Sequence, residues 1–316
     1  MRSTHSVALG VASVLVMGGW AGLAAQYEEP EGELGLMQSR GALKPDLEYP
    51  LLTSAVRQSG QPVIPIFEGW IPNVDGMNSM TRLSFSYFNL NSAEGVDIPL
   101  GPNNFIEPTQ FDGYQPTHFV PASECCNRRY LSSFSVDVPA DYTGDVRWTL
   151  IQDGRTYSVP GRRLYEAYRM DNLEAFTISP VAAELRFGGP GGPSGRGRSG
   201  VTADRLRVAA GDVLPLSVWA DPQPASATMV VGSFAGEQGE PRTTTILRWY
   251  HHQGPGQVNF SEAETILEGG AGEVSTTATF SEPGDYVLRI WAVENFGAVN
   301  QHCCWTTAFI PVTVTP

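Results

Sequence analysis

The chain has 316 residues, which is long enough for two domains with separate cores. Hydrophobic residues make up 41% of it and charged residues 17%, a composition typical of folded globular proteins. Its net charge of -13 argues against nucleic-acid binding, because such binding depends on clustered lysines and arginines. The 34 glycines and 24 prolines favour many turns, and therefore many short strands.

Residues 1–25 contain the three parts of a secretory signal peptide. Arg2 and His5 precede an apolar run from Val7 to Ala24, and small residues end the segment before Gln26. The pattern predicts a secreted or periplasmic protein, while an uncleaved membrane anchor is the alternative. No second apolar run of that length follows, so we expect no membrane span after cleavage. The polar residues 26–61 are interpreted as an N-terminal extension.

Residues 62–187 predict a first β-sandwich domain with a long loop. Arg82–Leu90 alternates in side-chain character, with Leu83, Phe85 and Tyr87 on one face, as in a half-buried strand. Val96–Pro121 is rich in proline and turn residues and predicts the loop.

The remainder of the chain predicts a linker followed by an Ig-like β-sandwich. Residues 188–200 are all Gly, Pro, Ser or Arg, which is typical of a flexible linker. From 201 to 316, short apolar segments alternate with turn signals. Trp249 is expected in the core, and Tyr286 at the corner where such domains place a tyrosine. The predicted strands are Asp204–Val208, Val213–Trp219, Thr244–Tyr250, Val274–Phe280, Tyr286–Val293 and Thr306–Val314. The chain is therefore predicted to be all-β, with two antiparallel β-sandwich domains.

Two motifs of the second domain suggest a family. Ala210-Gly211-Asp212 precedes an apolar strand, and Pro283–Arg289 leads through a Gly-Asp-Tyr turn into another that contains Ala292. On these residues the domain resembles bacterial extracellular Ig-like modules of the PKD and cadherin-like type. The resemblance implies a spacer, adhesion or binding unit rather than a catalyst.

Several segments of the first domain also form a distinctive set. Together they resemble an uncharacterised family of secreted bacterial proteins, and this resemblance implies no catalytic residue. The segments are Gly69-Trp70, Asn73–Gly76, Phe85–Asn89, Asp97–Asn104, Gln115–Phe119 and Trp148–Leu150.

The four cysteines occur as two adjacent pairs, Cys125-Cys126 and Cys303-Cys304. In an exported chain they are expected to form disulfides. Neighbouring Cα atoms lie about 3.8 Å apart across a trans peptide, which is too close for an unstrained bridge. Cross-pairing between the two pairs avoids that strain and is favoured. Bridges within each pair, and free or metal-bound thiols, remain alternatives.

The histidines raise the hypothesis of a metal site. Thiolates and imidazoles suit copper or zinc, but the spacing here matches no zinc motif, and no cofactor is predicted. The candidate ligands are His118, His251, His252, His302, Cys303 and Cys304.

No catalytic constellation stands out. The Gly-x-Ser-x-Gly motif is absent, and no pair of carboxylates is recognisable as a glycosidase site. Three aromatic residues of the long loop, Phe105, Phe111 and Tyr114, are candidates for ligand contact, because exposed rings stack on sugars or anchor partner proteins.

These observations favour an exported, non-catalytic binding or structural module of a bacterial cell envelope or the extracellular space, with a protein or glycan partner. One alternative is a metal-handling or redox accessory protein that uses the cysteine pairs. The other is a hydrolase whose site the sequence does not reveal.

Overall fold

The computed structural model describes residues 59–72, 79–92, 95–121, 129–163, 165–170, 182–189, 191–197, 200–222, 244–268, 270–295 and 305–316. All of them belong to one compact unit. The predicted signal peptide, most of the N-terminal extension, His302 and the four cysteines lie outside the described residues.

The first half of the described chain forms an antiparallel β-sandwich. Its sheets have the orders β1-β2-β6 and β4-β7-β8, and a short pair, β3-β5, lies beside them. One-turn 3-10 helices span Thr109–Phe111 and Glu166–Tyr168. The strands are β1 (Val63–Pro72), β2 (Met80–Asn89), β3 (Val96–Asp97), β4 (Asn104–Glu107), β5 (His118–Phe119), β6 (Arg129–Pro139), β7 (Val146–Gln152) and β8 (Arg155–Gly161).

Aromatic residues fill the core of this first sandwich. Phe85 on β2 stacks on Phe134 of β6 at 5.1 Å between ring centroids, and the indole of Trp148 meets Phe134 edge-on at 4.9 Å. All three side chains are buried. The alternation of Leu83, Phe85 and Tyr87 therefore does mark a strand, although Ser84 and Ser86 on its other face are buried as well.

The second half forms another sandwich, with sheet orders β10-β9-β13-β17-β15 and β11-β19-β18-β14-β16. All pairs in it are antiparallel except those that β11 and β12 make with β19. The all-β, two-sandwich prediction is confirmed. The strands are β9 (Glu184–Arg186), β10 (Ser194–Arg196), β11 (Val201–Thr202), β12 (Leu206–Ala209), β13 (Leu214–Asp221), β14 (Thr244–Gln253), β15 (Val258–Phe260), β16 (Glu264–Glu268), β17 (Gly272–Phe280), β18 (Gly284–Asn295) and β19 (Trp305–Thr315).

Tyr286 and Trp249 occupy the predicted positions in the second core. Both side chains are buried, and the Tyr286 hydroxyl donates a hydrogen bond to the Glu282 carbonyl four residues upstream, at 2.8 Å. Gly254 lies against the Tyr286 ring with φ +133°, and a Cβ added there would lie 2.2 Å from Cδ1 of that ring. The corner therefore depends on a tyrosine and on a glycine from the neighbouring strand end.

Part of the predicted linker is a strand. Ser194–Arg196 pairs with Glu184–Arg186, which in turn pairs with β13. Leu185 and Phe187 belong to the core of the second sandwich. This strand is held by backbone hydrogen bonds, and its residues show no alternation of apolar and polar side chains. The composition therefore suggested a flexible segment. The limits of the two domains stay a prediction.

Backbone and side-chain hydrogen bonds join the two sandwiches directly. The Thr117 N–H donates to the His252 carbonyl at 2.8 Å, and the Gly254 N–H donates to Thr117 Oγ1 at 3.1 Å. The side-chain amide of Gln253 donates from Nε2 to the carbonyls of Gly113 and Gln115 at 2.8 and 2.7 Å. The end of β14 is thus fixed against the long loop of the first sandwich, and this contact sets the geometry of the clefts between them.

Candidate functional site: a cleft between the two sandwiches

A cleft of about 650 Å³ lies between β6 of the first sandwich and strands β14 and β18 of the second. Volumes of this order are typical of small-molecule sites. Arginines and aromatic rings predominate in its wall. The lining residues are Val120, Pro121, Arg129, Tyr130, Leu131, Arg248, Tyr250, Glu264, Arg289 and Trp291.

Two residue pairs, or rungs, of the β14–β18 ladder, separated by one pair whose side chains point to the other face, form the floor of the cleft. Arg248 is paired across the strands with Trp291, and Tyr250 with Arg289. Side chains two residues apart lie on the same face of a strand, so all four share one face. The opposite face of both strands carries core residues such as Leu247 and Ile290.

Each rung combines one arginine with one aromatic ring, in reversed order. The Arg248 guanidinium carbon lies 5.5 Å from the centroid of the Trp291 ring, and that of Arg289 lies 5.6 Å from the Tyr250 ring. Such cation–π contacts restrict the orientation of the guanidinium group. The two arginines are therefore held diagonally across the floor by the rings of the facing strand.

Arg289 is a buried cation, with 5% of its surface exposed. Its Nη2 donates to the carbonyls of Ser132 at 2.7 Å and Leu131 at 3.4 Å, whereas its Nε has no hydrogen-bond partner among the described residues. No carboxylate of the described residues lies within ion-pair distance of it. Burial lowers the pKa of Arg289, which the Tyr250 and Tyr87 hydroxyls and Glu68 partly offset.

A bulge in β6 presents the backbone that receives Arg289. The pairing of β2 with β6 shifts register between Phe85 and Tyr87, and Ser132 opposite this point has φ +45°. The Ser132 N–H donates to the buried Glu68 carboxylate at 3.0 Å, while its carbonyl accepts from Arg289. The backbone of one residue, Ser132, thus links a buried anion of the first sandwich to a buried cation of the second. Bulges frequently serve to re-aim groups in this way.

The rim of the cleft is more accessible. Arg248 has 38% of its side chain exposed and donates from Nε to Glu264 at 2.5 Å. Tyr130 meets Tyr250 edge-on, with ring centroids 6.5 Å apart, and its hydroxyl donates to the Pro121 carbonyl. Burial raises the pKa of both phenols, so they are neutral hydrogen-bonding groups at physiological pH.

The predicted aromatic contacts of the long loop are divided by the structure. Phe105 is partly buried on β4, and Phe111 is buried against Tyr142 at 5.4 Å between ring centroids. Tyr114 is 58% exposed and lines a second cleft of about 480 Å³, together with Phe111, His252 and Gln253. Of the three candidates, Tyr114 is the ring that is largely open to solvent. Their role in ligand contact stays a prediction.

Of the predicted metal ligands, the structure brings His118 and His251 together. Their rings stack at 4.8 Å, and Nδ1 of His118 donates to Asp97 at 2.6 Å. Nε2 of His252 donates to the Tyr114 carbonyl at 2.9 Å. Among the described residues, no group of three His, Cys, Asp or Glu side chains could hold a metal ion. The remaining candidates, His302, Cys303 and Cys304, lie outside those residues.

The lining of each described cleft contains one carboxylate. These are Glu264 in the first cleft and Asp137 in the second, where it pairs with Arg82 at 2.7 Å. A glycosidase-type pair is therefore not assembled by the described lining residues. The geometry of the first cleft is suited to holding a ligand through cations and aromatic rings.

Sequence reasoning did not find Arg248, Tyr250, Arg289 and Trp291. Their signal is the alternation of β14 and β18, which places polar and aromatic residues on one face and core residues on the other. That pattern does not reveal that the first sandwich covers this face, because the contact joins segments more than a hundred residues apart.

The described part of the chain contains no helix with the length and hydropathy that a membrane crossing requires. The chain matches no protein-family model, and no curated protein matches it.

Solved structures give distant likenesses to domains of similar architecture. The D0-D1 domain of intimin is 9% identical over 80% of this chain and 98% of that chain, with a TM-score of 0.24. The PapD-like domain 7 of human CEP192 is 10% identical over 45% of this chain and 89% of that chain, with a TM-score of 0.26. The CupB6 tip adhesin from Pseudomonas aeruginosa is 10% identical over 82% of this chain and 92% of that chain, with a TM-score of 0.22. At this level of similarity, none of these likenesses bears on function.

Proposed function

We propose that this chain is an exported, non-catalytic binding module of a bacterial cell envelope or the extracellular space, and that the cleft between its two sandwiches holds the ligand. The observation that carries the proposal is the pair of arginine–aromatic rungs, Arg248 with Trp291 and Tyr250 with Arg289, on a floor shared by two strands. The signal-peptide pattern of residues 1–25 supports export.

The rigidity of the cleft supports binding as its function. Its floor belongs to a central part of a sheet, since β14 and β18 are both paired on two sides. Its opposite wall is fixed by the contacts of Arg289 with β6 and of Gln253 with the long loop. A site whose groups are held before the ligand arrives loses less conformational entropy on binding.

Two tryptophans allow the site to be tested by its own signals. Trp291 lines the cleft, whereas Trp219 is 43% exposed on β13 of the opposite sheet. We expect titration with a panel of neutral oligosaccharides, acidic oligosaccharides and short peptides to shift the indole N–H resonance of Trp291 but not that of Trp219 for at least one member.

The matched variants are Tyr250→Ala and Trp219→Ala. Tyr250→Ala removes an aromatic wall of the cleft and should weaken binding of that ligand about 10-fold or more, a loss comparable to that of other aromatic anchors. Trp219→Ala should leave its affinity unchanged. If no panel member shifts the Trp291 resonance, or if Tyr250→Ala binds as tightly as the wild type, the cleft is not the binding site.

A further inference from the structure

We infer that the ligand of the cleft is an acidic sugar, recognised through a carboxylate or sulfate group that the Arg248 and Arg289 guanidinium groups bind. This inference rests on the proposed function and specifies the chemical class of the ligand. Its argument starts from the two arginines.

Arg289 carries a positive charge where charges are costly. Moving a cation from water into a protein interior is unfavourable unless an anion or several hydrogen bonds compensate it. Here two backbone carbonyls accept from one nitrogen, and Nε has no partner in the part of the chain that the structure describes. An oxyanion in the cleft that Arg289 lines would provide the missing compensation, whereas a neutral ligand would not.

Arg248 adds a second cation on the other rung. Its one carboxylate partner, Glu264, is 46% exposed, so solvent weakens that ion pair. Nε is the nitrogen that faces Glu264. A guanidinium group has five N–H donors, so Arg248 keeps donors for an anion on the side that faces the cleft.

The charge of the cleft contrasts with that of the whole chain. Three arginines line it, of which Arg248 pairs with Glu264 and Arg129 lies 3.4 Å from Glu68. Arg289 therefore supplies the excess positive charge, although the chain has a net charge of -13. A local cationic site on an acidic protein attracts small anions while the remaining surface repels extended polyanions. This combination favours a short acidic ligand over a long polyanion.

The size and the rings of the cleft favour a sugar over a protein surface. A cleft of about 650 Å³ has the volume of a small-molecule site, whereas a stable protein interface is a broad surface of about 800 Å² on each partner. Tyr130, Tyr250 and Trp291 provide apolar contact for the C–H groups of a pyranose ring. The arginines then recognise the acidic substituent, because their planar donor groups match carboxylate and sulfate oxygens.

The test compares three probes by isothermal titration calorimetry on the full mature chain. They are trigalacturonic acid, a κ-carrageenan tetrasaccharide, which has sulfate but no carboxylate groups, and neutral maltotriose. We expect at least one acidic probe to bind about 10-fold or more tightly than maltotriose, because hydrogen bonds between a guanidinium group and an anionic oxygen are stronger than those between neutral groups. The two acidic probes distinguish a carboxylate from a sulfate. Raising NaCl from 50 to 500 mM should weaken acidic binding, since salt screens the attraction.

Three variants connect the effect to the named residues. Arg248→Gln changes a residue of the rim and should lower affinity for the acidic probe about 10-fold. Arg289→Met removes the buried cation and should have the same effect. Arg207→Gln on exposed β12 is the control and should bind as the wild type does. Thermal melts establish whether Arg289→Met is folded, and Arg248→Gln decides the question if it is not.

The outcomes separate this inference from the proposed function. If maltotriose binds as tightly as the acidic probes and Arg248→Gln has no effect, the cleft is a binding site and the acidic-sugar inference is wrong. If none of the three probes binds, the inference is also wrong, and the wider ligand panel decides the proposed function by itself.

Discussion

The rings of His118 and His251 stack 4.8 Å apart although they belong to different sandwiches. His251 is buried, and within the described ranges neither of its ring nitrogens has a hydrogen-bond partner. Asp97 accepts a hydrogen bond from His118 on one side of the stacked pair. On the other side, the ring of Tyr286, which lies in the same sheet as His251, is 5.6 Å from the His251 ring. Two stacked imidazole rings therefore form part of the contact between the sandwiches.

The first prediction concerns pH. Burial, and then the neighbouring His118, lower the pKa of His251 from 6.5 to about 4, and burial beside Arg289 lowers that of His252 to about 3. Both histidines are neutral in the fold but take up protons in the unfolded chain. This difference costs no stability above about pH 6.5. The loss of stability begins below that pH and grows as pH falls toward 4 and 3.

Urea unfolding between pH 7 and pH 4.5 measures this loss. Each proton taken up on unfolding contributes a slope of about 1.4 kcal/mol per pH unit. His251→Phe keeps an aromatic ring in the stack but cannot be protonated. Its free energy of unfolding should therefore fall less steeply with pH than that of the wild type, by up to the slope that one proton contributes. Asp97 adds to acid sensitivity only near and below pH 3.8, because its pKa is lowered by its bond to His118. An unchanged slope in His251→Phe would contradict the assignment.

The second prediction concerns Glu68, the carboxylate that accepts a hydrogen bond from the Ser132 N–H. Its side chain is 5% exposed and accepts from Ser84 Oγ at 2.7 Å and from the Ser132 N–H at 3.0 Å. Glu68→Ala leaves these buried donors without an acceptor and should reduce the free energy of unfolding by about 3 kcal/mol. Chemical denaturation at neutral pH provides the measurement.

A surface carboxylate is the matched control for Glu68. Glu166 is 75% exposed and lies 3.6 Å from Arg169. Glu166→Ala should change stability by less than about 0.5 kcal/mol, because exposed ion pairs contribute little. Equal effects of the two substitutions would show that the buried Glu68–Ser132 contact is not important for stability.

The third prediction concerns the glycine beside the tyrosine corner. Gly254→Ala places a Cβ 2.2 Å from the Tyr286 ring at a φ of +133°. The clash and the unfavourable backbone conformation should together cost about 3 kcal/mol or more. Gly211→Ala is the control, since Gly211 also has a positive φ, +83°, but no described residue has an atom within 4 Å of the added Cβ. It should cost only about 1–2 kcal/mol, and a thermal melt that ranks the two variants in the reverse order would refute the steric explanation.

The corner and the cleft differ in how far the sequence predicts them. The Gly-Asp turn before Tyr286 is a local signal, and so is the alternation that places Trp249 in the core. The cleft depends instead on the register between β14 and β18, which pairs Arg248 with Trp291 across more than forty residues. An arginine in an alternating strand is typical of a solvent-exposed face, and only the packing of β6 against that face turns Arg289 into a buried cation.

The last prediction concerns the cysteine pairs, which lie outside the described residues. Cross-pairing of Cys125 and Cys126 with Cys303 and Cys304 stays the prediction. The described residues beside both pairs support it: Pro121 and Arg129 line the cleft, and the Trp305 ring lies 6.2 Å from that of Trp291, which lines the same cleft.

A bridge between the pairs closes a loop of about 180 residues and should stabilise the fold by roughly 5 kcal/mol. Mass spectrometry of a non-reduced digest should find peptides around residue 125 linked to peptides around residue 304. Reduction should then lower the urea midpoint substantially. Detection of a bond within each pair would contradict cross-pairing, because such bonds close no long loop and leave the midpoint nearly unchanged on reduction. Four titratable thiols in freshly purified protein would contradict both arrangements and favour the metal-handling or redox alternative.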